Sequence, residues 1–93
     1  KKRKGPEPGK MLEKLLERLD RMSAWSAEHL EASFRDFSET ESWSTRELFM
    51  TVRIAVTGRK ASPSLFDTMV VIGREICRRR LRQAAIFLKQ RKG

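Results

Sequence analysis

The chain has one cysteine, one histidine and no tyrosine. A lone Cys77 excludes an internal disulfide and a cysteine-based zinc cluster, and it fits a reducing compartment. With His29 as the only histidine, neither a Ser–His–Asp triad nor a histidine metal site finds its partners, and an ordinary surface histidine is the better reading. No apolar run approaches the roughly 18 residues of a membrane-spanning helix. There is no initiator methionine and no signal-peptide core, so the chain reads as a piece of a longer protein. A glycine-rich phosphate loop is also missing. Aromatics are few, with five Phe and two Trp. The Phe residues fall mostly at core-like spacings, whereas a stacking platform for single strands needs exposed rings. Ninety-three residues hold one modest core, which excludes a multidomain enzyme with its own substrate cleft. The chain alone is therefore read as not an enzyme. A hydrophobic content of 39% still supports a globular fold.

What the chain has is positive charge. Lys and Arg number 21 against 12 Asp and Glu, a net +9. Residues 1–10 carry +4, residues 11–50 carry −4, and residues 51–93 carry +9. A basic C-terminal half beside an acidic stretch suits a nucleic-acid backbone or an anionic membrane.

Residues 1–9 (KKRKGPEPG) are basic and broken by glycine and proline, and read as a flexible linker or tail. A localisation signal or phosphate-contacting arm is the functional alternative to a solvated hinge. Residues 10–93 read as a helical domain. Met11, Leu12, Leu15, Leu16, Leu19 and Met22 recur three and four apart, giving a helix one apolar face. A second helix is expected over about 24–37, capped by Ser23 or Ser26, with Leu30, Phe34 and Phe37 as its stripe, then a polar turn at 38–42. The third has a capping box, Ser44 to Glu47, and a closing Gly58. Ser62 as N-cap and Pro63 in the first turn predict a fourth helix start. That helix is apolar almost all round through Leu65, Phe66, Met69, Val70 and Ile72, which implies burial, and Gly73 ends it. A last helix over about 74–89 places Ile76, Cys77, Leu81, Ala84, Ala85 and Leu88 inward, with Arg74, Arg78, Arg82 and Lys89 near one outer face. The fold class is all-α: a compact bundle of about five helices.

No catalytic constellation survives. Cys77 reads as a buried, inert thiol, although nearby arginines would lower its pKa if it were exposed. Asp36, Glu39 and Glu41 form a solvated acidic turn without ligand geometry. Arg74, Arg78, Arg79, Arg80, Arg82, Lys89, Arg91 and Lys92 are too many for a neutral face, and arginine forks match phosphates in two-point contacts. The corner at 59–63 presents a helix N-terminus with free amides beside a rigid Pro. It suits an unstacked base or a phosphate, or is only a tight corner; physics alone leaves these even.

Four ordered blocks carry a more specific signal. They are Leu48-Phe49-Met50-Thr51-Val52-Arg53-Ile54-Ala55-Val56-Thr57-Gly58, Ser62-Pro63-Ser64-Leu65-Phe66, Ile72-Gly73-Arg74-Glu75, and Arg80-Leu81. In this order they closely resemble the C-terminal region of bacterial-type glutamyl-tRNA synthetases, where they read "plR-a-ltG", "gP-lfe", "lGke" and "RL". The resemblance covers about 43–88. Residues 12–37 share only a Leu-rich helical start and a Trp near the next helix, and residues 1–9 have no match. Thr51 departs from the family's common Pro, and Ser62 stands where relatives carry Thr, keeping the hydroxyl.

The resemblance implies an α-helical cage that binds the anticodon loop of tRNA. It places the class I catalytic domain, with its ATP and Mg, upstream in the parent protein. No cofactor or metal is then expected in this chain, and the expected partners are the tRNA and that upstream domain. A cytoplasmic monomer without membrane attachment follows. Carried over by position, the anticodon-base contacts are Arg53, Ser62, Pro63 and Leu65. Arg53 would hydrogen-bond or stack on a base, and Ser62 with nearby backbone would read base edges. Pro63 and Leu65 would offer apolar surface beneath a splayed base, as unstacked RNA bases are generally read. From charge, Arg59, Lys60, Arg74 and Arg78 are added as phosphate contacts. The rival reading is a basic helical protein–protein interaction module. A membrane-surface helix is disfavoured because the last helix lacks exposed Trp or Phe on its apolar face.

Overall fold

The computed structural model describes residues 7–59 and 64–90. Among them are five helices and no strand: α1 (Pro8–Asp20), α2 (Ala27–Glu41), α3 (Thr45–Thr57), α4 (Leu65–Ile72) and α5 (Arg74–Gln90). The all-α expectation holds.

α1 starts at Pro8, whose missing N–H costs nothing in a first turn. Pro8 and Gly9 therefore belong to the fold rather than to a linker. Gly9 is buried, and a Cβ there would meet Lys89 Cγ at 2.6 Å and the Ala85 carbonyl at 3.1 Å. Only glycine lets α1 and α5 approach this closely. The two helices run antiparallel. Glu13 accepts from Lys89 at 2.9 Å near one end, and Asp20 accepts from Arg78 Nε at 2.5 Å near the other. Such exposed pairs contribute at most about 1 kcal/mol each, so the apolar seam of Met11, Leu12, Leu15, Leu19, Cys77, Leu81 and Ala85 holds the contact.

α2 departs from the expected bounds at both ends. Of the two caps the sequence offers, Ser26 and not Ser23 is its N-cap, so the helix starts at Ala27, and the Ser26 hydroxyl accepts from the His29 amide at 3.2 Å. The expected turn at 38–42 is helix through Glu41. Ser42 takes a left-handed conformation (φ 58°), and the amides of Trp43 and Ser42 reach back to Ser38 and Glu39 at 3.0 and 3.3 Å. This is a Schellman closure. Burial of Trp43, and a bond from the Ser38 hydroxyl to the Trp43 carbonyl, lock it.

α3 follows expectation: Ser44 accepts from the Glu47 amide at 3.3 Å and Gly58 closes the helix. Phe34 of α2, Phe49 of α3 and Phe66 of α4 meet edge to face, with centroids 5.1–5.9 Å apart. This trio joins α2, α3 and α4 within a single core to which all five helices contribute.

The fourth helix begins later than Ser62-Pro63 predicts. Its N-cap is Ser64, whose hydroxyl accepts from the Asp67 amide at 3.4 Å. The implied burial holds for one side of the helix only. Leu65, Phe66 and Met69 are inside, but Val71 is 85% exposed, because α4 is a short surface helix covered on one side only. Gly73 joins α4 to α5 at φ 100°, ψ 153°, a region essentially reserved for glycine. On α5 the expected inward face is right for Cys77, Leu81 and Ala85, while Ile76 is exposed.

Candidate nucleic-acid interface

α5 lies between α1 and α3, and that placement decides what its arginines do. Arg78 points toward α1 and pairs with Asp20 through two bonds, at 2.5 and 3.4 Å. Two residues on, Arg80 turns the other way and donates to the Val56 carbonyl at 2.6 Å. The last turn of α3 has no basic residue of its own, so Arg80 supplies the cation that helix C-termini favour. Arg74 donates to the Met22 carbonyl at 2.8 Å and lies 5.3 Å from the Trp25 ring centroid. The Trp25 indole in turn donates to the Met69 carbonyl at 3.0 Å. Arg74 thus fastens the α1–α2 connection to the α4–α5 junction. The expected outer face of Arg74, Arg78, Arg82 and Lys89 is corrected: all but Arg82 are turned toward the body of the domain. The signal that sequence reading missed is Asp20, 58 residues from Arg78 and on a helix whose orientation periodicity does not reveal.

Of the residues expected to contact RNA between α3 and α4, Arg53, Arg59 and Leu65 are among the described residues. Arg53 is half-buried, one turn before the end of α3, and its carbonyl accepts from the Thr57 hydroxyl at 2.7 Å. The same hydroxyl accepts from the Arg59 amide at 3.1 Å, which carries the chain around left-handed Gly58 and leaves the Arg59 side chain exposed. Lys60, Ser62 and Pro63 lie outside the described residues. Leu65 is 3% exposed and belongs to the core, so its side chain supports the corner from inside instead of facing outward beneath a base. Ser64, with Asp67 three residues on, is the polar edge that sequence reading overlooked. The Ser-x-x-Asp capping pattern was its visible signal.

Two grooves mark other faces. One of about 580 Å³ between α1 and α2 mixes signs, with Lys14, Arg18 and Arg21 facing Glu17 and Glu41. Two of its cations are already paired, Lys14 with Glu41 and Arg18 with Asp36. The other, about 310 Å³, is apolar and runs between α3 and α5, lined by Pro8, Ile54, Ala55, Ala84, Phe87 and Leu88. Phe87 is 60% exposed and Ile86 beside it 49%, so the last helix does expose a Phe, against expectation. No helix among the described residues is long and apolar enough to cross a membrane.

Cys77 is buried, and burial pushes its thiol up to about 11 against the lowering effect of nearby Arg80. A thiol held protonated at neutral pH is a poor nucleophile. His29 is exposed, with Nδ1 2.7 Å from the Ser26 hydroxyl. Among the described residues no group of three metal-ligating side chains comes together.

A family model described as an anticodon binding domain matches residues 1–85. The glutamate–tRNA ligase of Nitrobacter winogradskyi is 36% identical over 76 residues, 82% of this chain and 16% of that protein. Glutamate–tRNA ligase 1 of Methylobacterium sp. is 42% identical over 71 residues, 76% of this chain and 15% of that protein. The glutamate–tRNA ligase of Moorella thermoacetica is 33% identical over 85 residues, 91% of this chain and 17% of that protein. The chain spans about one sixth of the length of these relatives. A match across residues 1–85, on a fold of five helices among the described residues, means that the chain belongs to the anticodon binding domain family.

Proposed function

We propose that the chain grips the anticodon loop of a tRNA as the anticodon-binding part of a glutamate–tRNA ligase. The observation that carries this reading is similarity to glutamate–tRNA ligases along most of the chain, up to 91% of its length. Ligation, with ATP and Mg, falls to a catalytic domain elsewhere in the parent, and this chain contributes recognition without a cofactor. Arg53 and the segment Ser62–Pro63 read bases at the α3–α4 corner, while Arg59 and Lys60 grip the adjoining backbone. The N-terminus of α4, capped by Ser64, adds favourable amide dipoles toward a phosphate. In this reading the domain acts as a cytoplasmic monomer.

The alternative, a protein–protein module, draws on the apolar groove at Ile54 and Phe87. A salt titration of the full chain against glutamate tRNA separates the two. Neutralising about four phosphates predicts a roughly hundredfold loss of affinity between about 50 and 200 mM salt. An apolar contact would hold or strengthen over that range, and a flat titration would remove the tRNA reading.

A further inference from the structure

Among the described residues, two of the α5 cations have no partner. Arg74, Arg78, Arg80 and Lys89 are each drawn onto the domain by the Met22 carbonyl, Asp20, the Val56 carbonyl and Glu13. Arg79 and Arg82 are exposed and make no hydrogen bond or ion pair with any described residue. Glu75 lies one turn before Arg79, the position for a helix pair, yet no ion pair forms. Residues three apart on a helix are neighbours, about 5–6 Å between Cβ atoms, so the two guanidinium groups repel each other across the outer face of α5. Of the other exposed cations whose side chains make no hydrogen bond or ion pair with a described residue, Arg21 and Arg46 sit in the acidic segment with Glu17 and Glu47 close in sequence, Lys10 lies in the first turn of α1, and Arg59 follows Gly58 at the end of α3. Arg79 and Arg82 sit in residues 51–93, where Asp67 and Glu75 are the only acids.

We infer that Arg79 and Arg82 form a phosphate-gripping edge for the tRNA backbone, separate from the base-reading corner. Arg74 and Arg78, in contrast, serve the fold. The inference rests on the tRNA-binding reading. Two free guanidinium forks on a rigid helix suit phosphate oxygens in two-point contacts. Phosphate contacts carry no base information, so this edge supplies affinity and orientation without anticodon preference.

The test measures binding of the full chain to unmodified glutamate tRNA and to a tRNA with a different anticodon, over a range of salt. Arg79→Gln with Arg82→Gln should weaken binding of both tRNAs about tenfold and reduce the salt slope by about 1.5, with the melting temperature unchanged. Lys14→Gln, which removes a cation from the α1–α2 groove, should leave the slope as it is. An unchanged slope and affinity in the double variant, while the unaltered chain binds with a steep slope, overturns the inference and spares the function. Equal slope losses in Lys14→Gln and the double variant also overturn it, because the charge effect would then be diffuse. Failure of the unaltered chain to bind either tRNA at low salt defeats the function itself.

Discussion

Arg53→Ala is expected to weaken glutamate-tRNA binding by about 1–3 kcal/mol, roughly tenfold to a hundredfold, in the full chain. The position explains the size of the effect. Arg53 is half-buried on a capped helix, one turn before the Gly58 closure, so its backbone is held before any ligand arrives. A group held in place before binding loses little freedom when it contacts RNA, and its removal forfeits most of its contact energy. A base contact also predicts selectivity: the loss should be greater for glutamate tRNA than for a tRNA with another anticodon. Filter binding with both tRNAs measures this. Equal losses on the two would move Arg53 from the base-reading group to the backbone-gripping one, and no loss would remove it from the interface.

Phe34→Ala carries the other large expected effect, this time on stability. Phe34 is fully buried and meets Phe49 and Phe66 edge to face at 5.9 and 5.1 Å. Removing the ring leaves a cavity where α2, α3 and α4 meet, at a cost of about 3–5 kcal/mol. Domains of this size are stable by only about 5–15 kcal/mol, so the melting temperature should fall by more than about 10 °C. Because Phe49 and Phe66 sit on the two helices that flank the corner, tRNA affinity should fall with stability. Val71→Ala is the matching control. That side chain is 85% exposed, and its truncation should change stability by less than about 0.5 kcal/mol. Thermal melting of the two variants, followed by circular dichroism, reads both effects.

How far the sequence alone reached depended on whether a feature was local. The Leu stripe of α1 and the Ser44–Glu47 box with Gly58 on α3 are short-range patterns, and the structure reproduces them. The end of α2 was not legible, because it depends on Trp43 being buried and on the Ser38 hydroxyl bonding to it; a polar, acidic segment is solvated turn unless that closure exists. The start of α4 was misplaced because Ser62 and Ser64 flank Pro63 and both offer a capping hydroxyl; Asp67 favours Ser64. Leu65 entered the site by resemblance, and only packing reveals that it faces inward. The division of α5 arginines into held and free was the least legible. It turns on Asp20 and on the carbonyls of Met22 and Val56, which lie 24 to 58 residues away. A helical wheel shows which residues share a face, but not which neighbour that face meets.

The central claim, that this domain holds the anticodon loop, is tested most directly by chemical and nuclease footprinting of glutamate tRNA in the presence of the full chain. The account predicts protection of the anticodon loop and of flanking backbone phosphates, with base protection reduced in Arg53→Ala and part of the phosphate protection, apart from that gripped by Arg59 and Lys60, reduced in the Arg79→Gln, Arg82→Gln variant. Protection confined to the acceptor stem, or spread evenly over the tRNA, would contradict it.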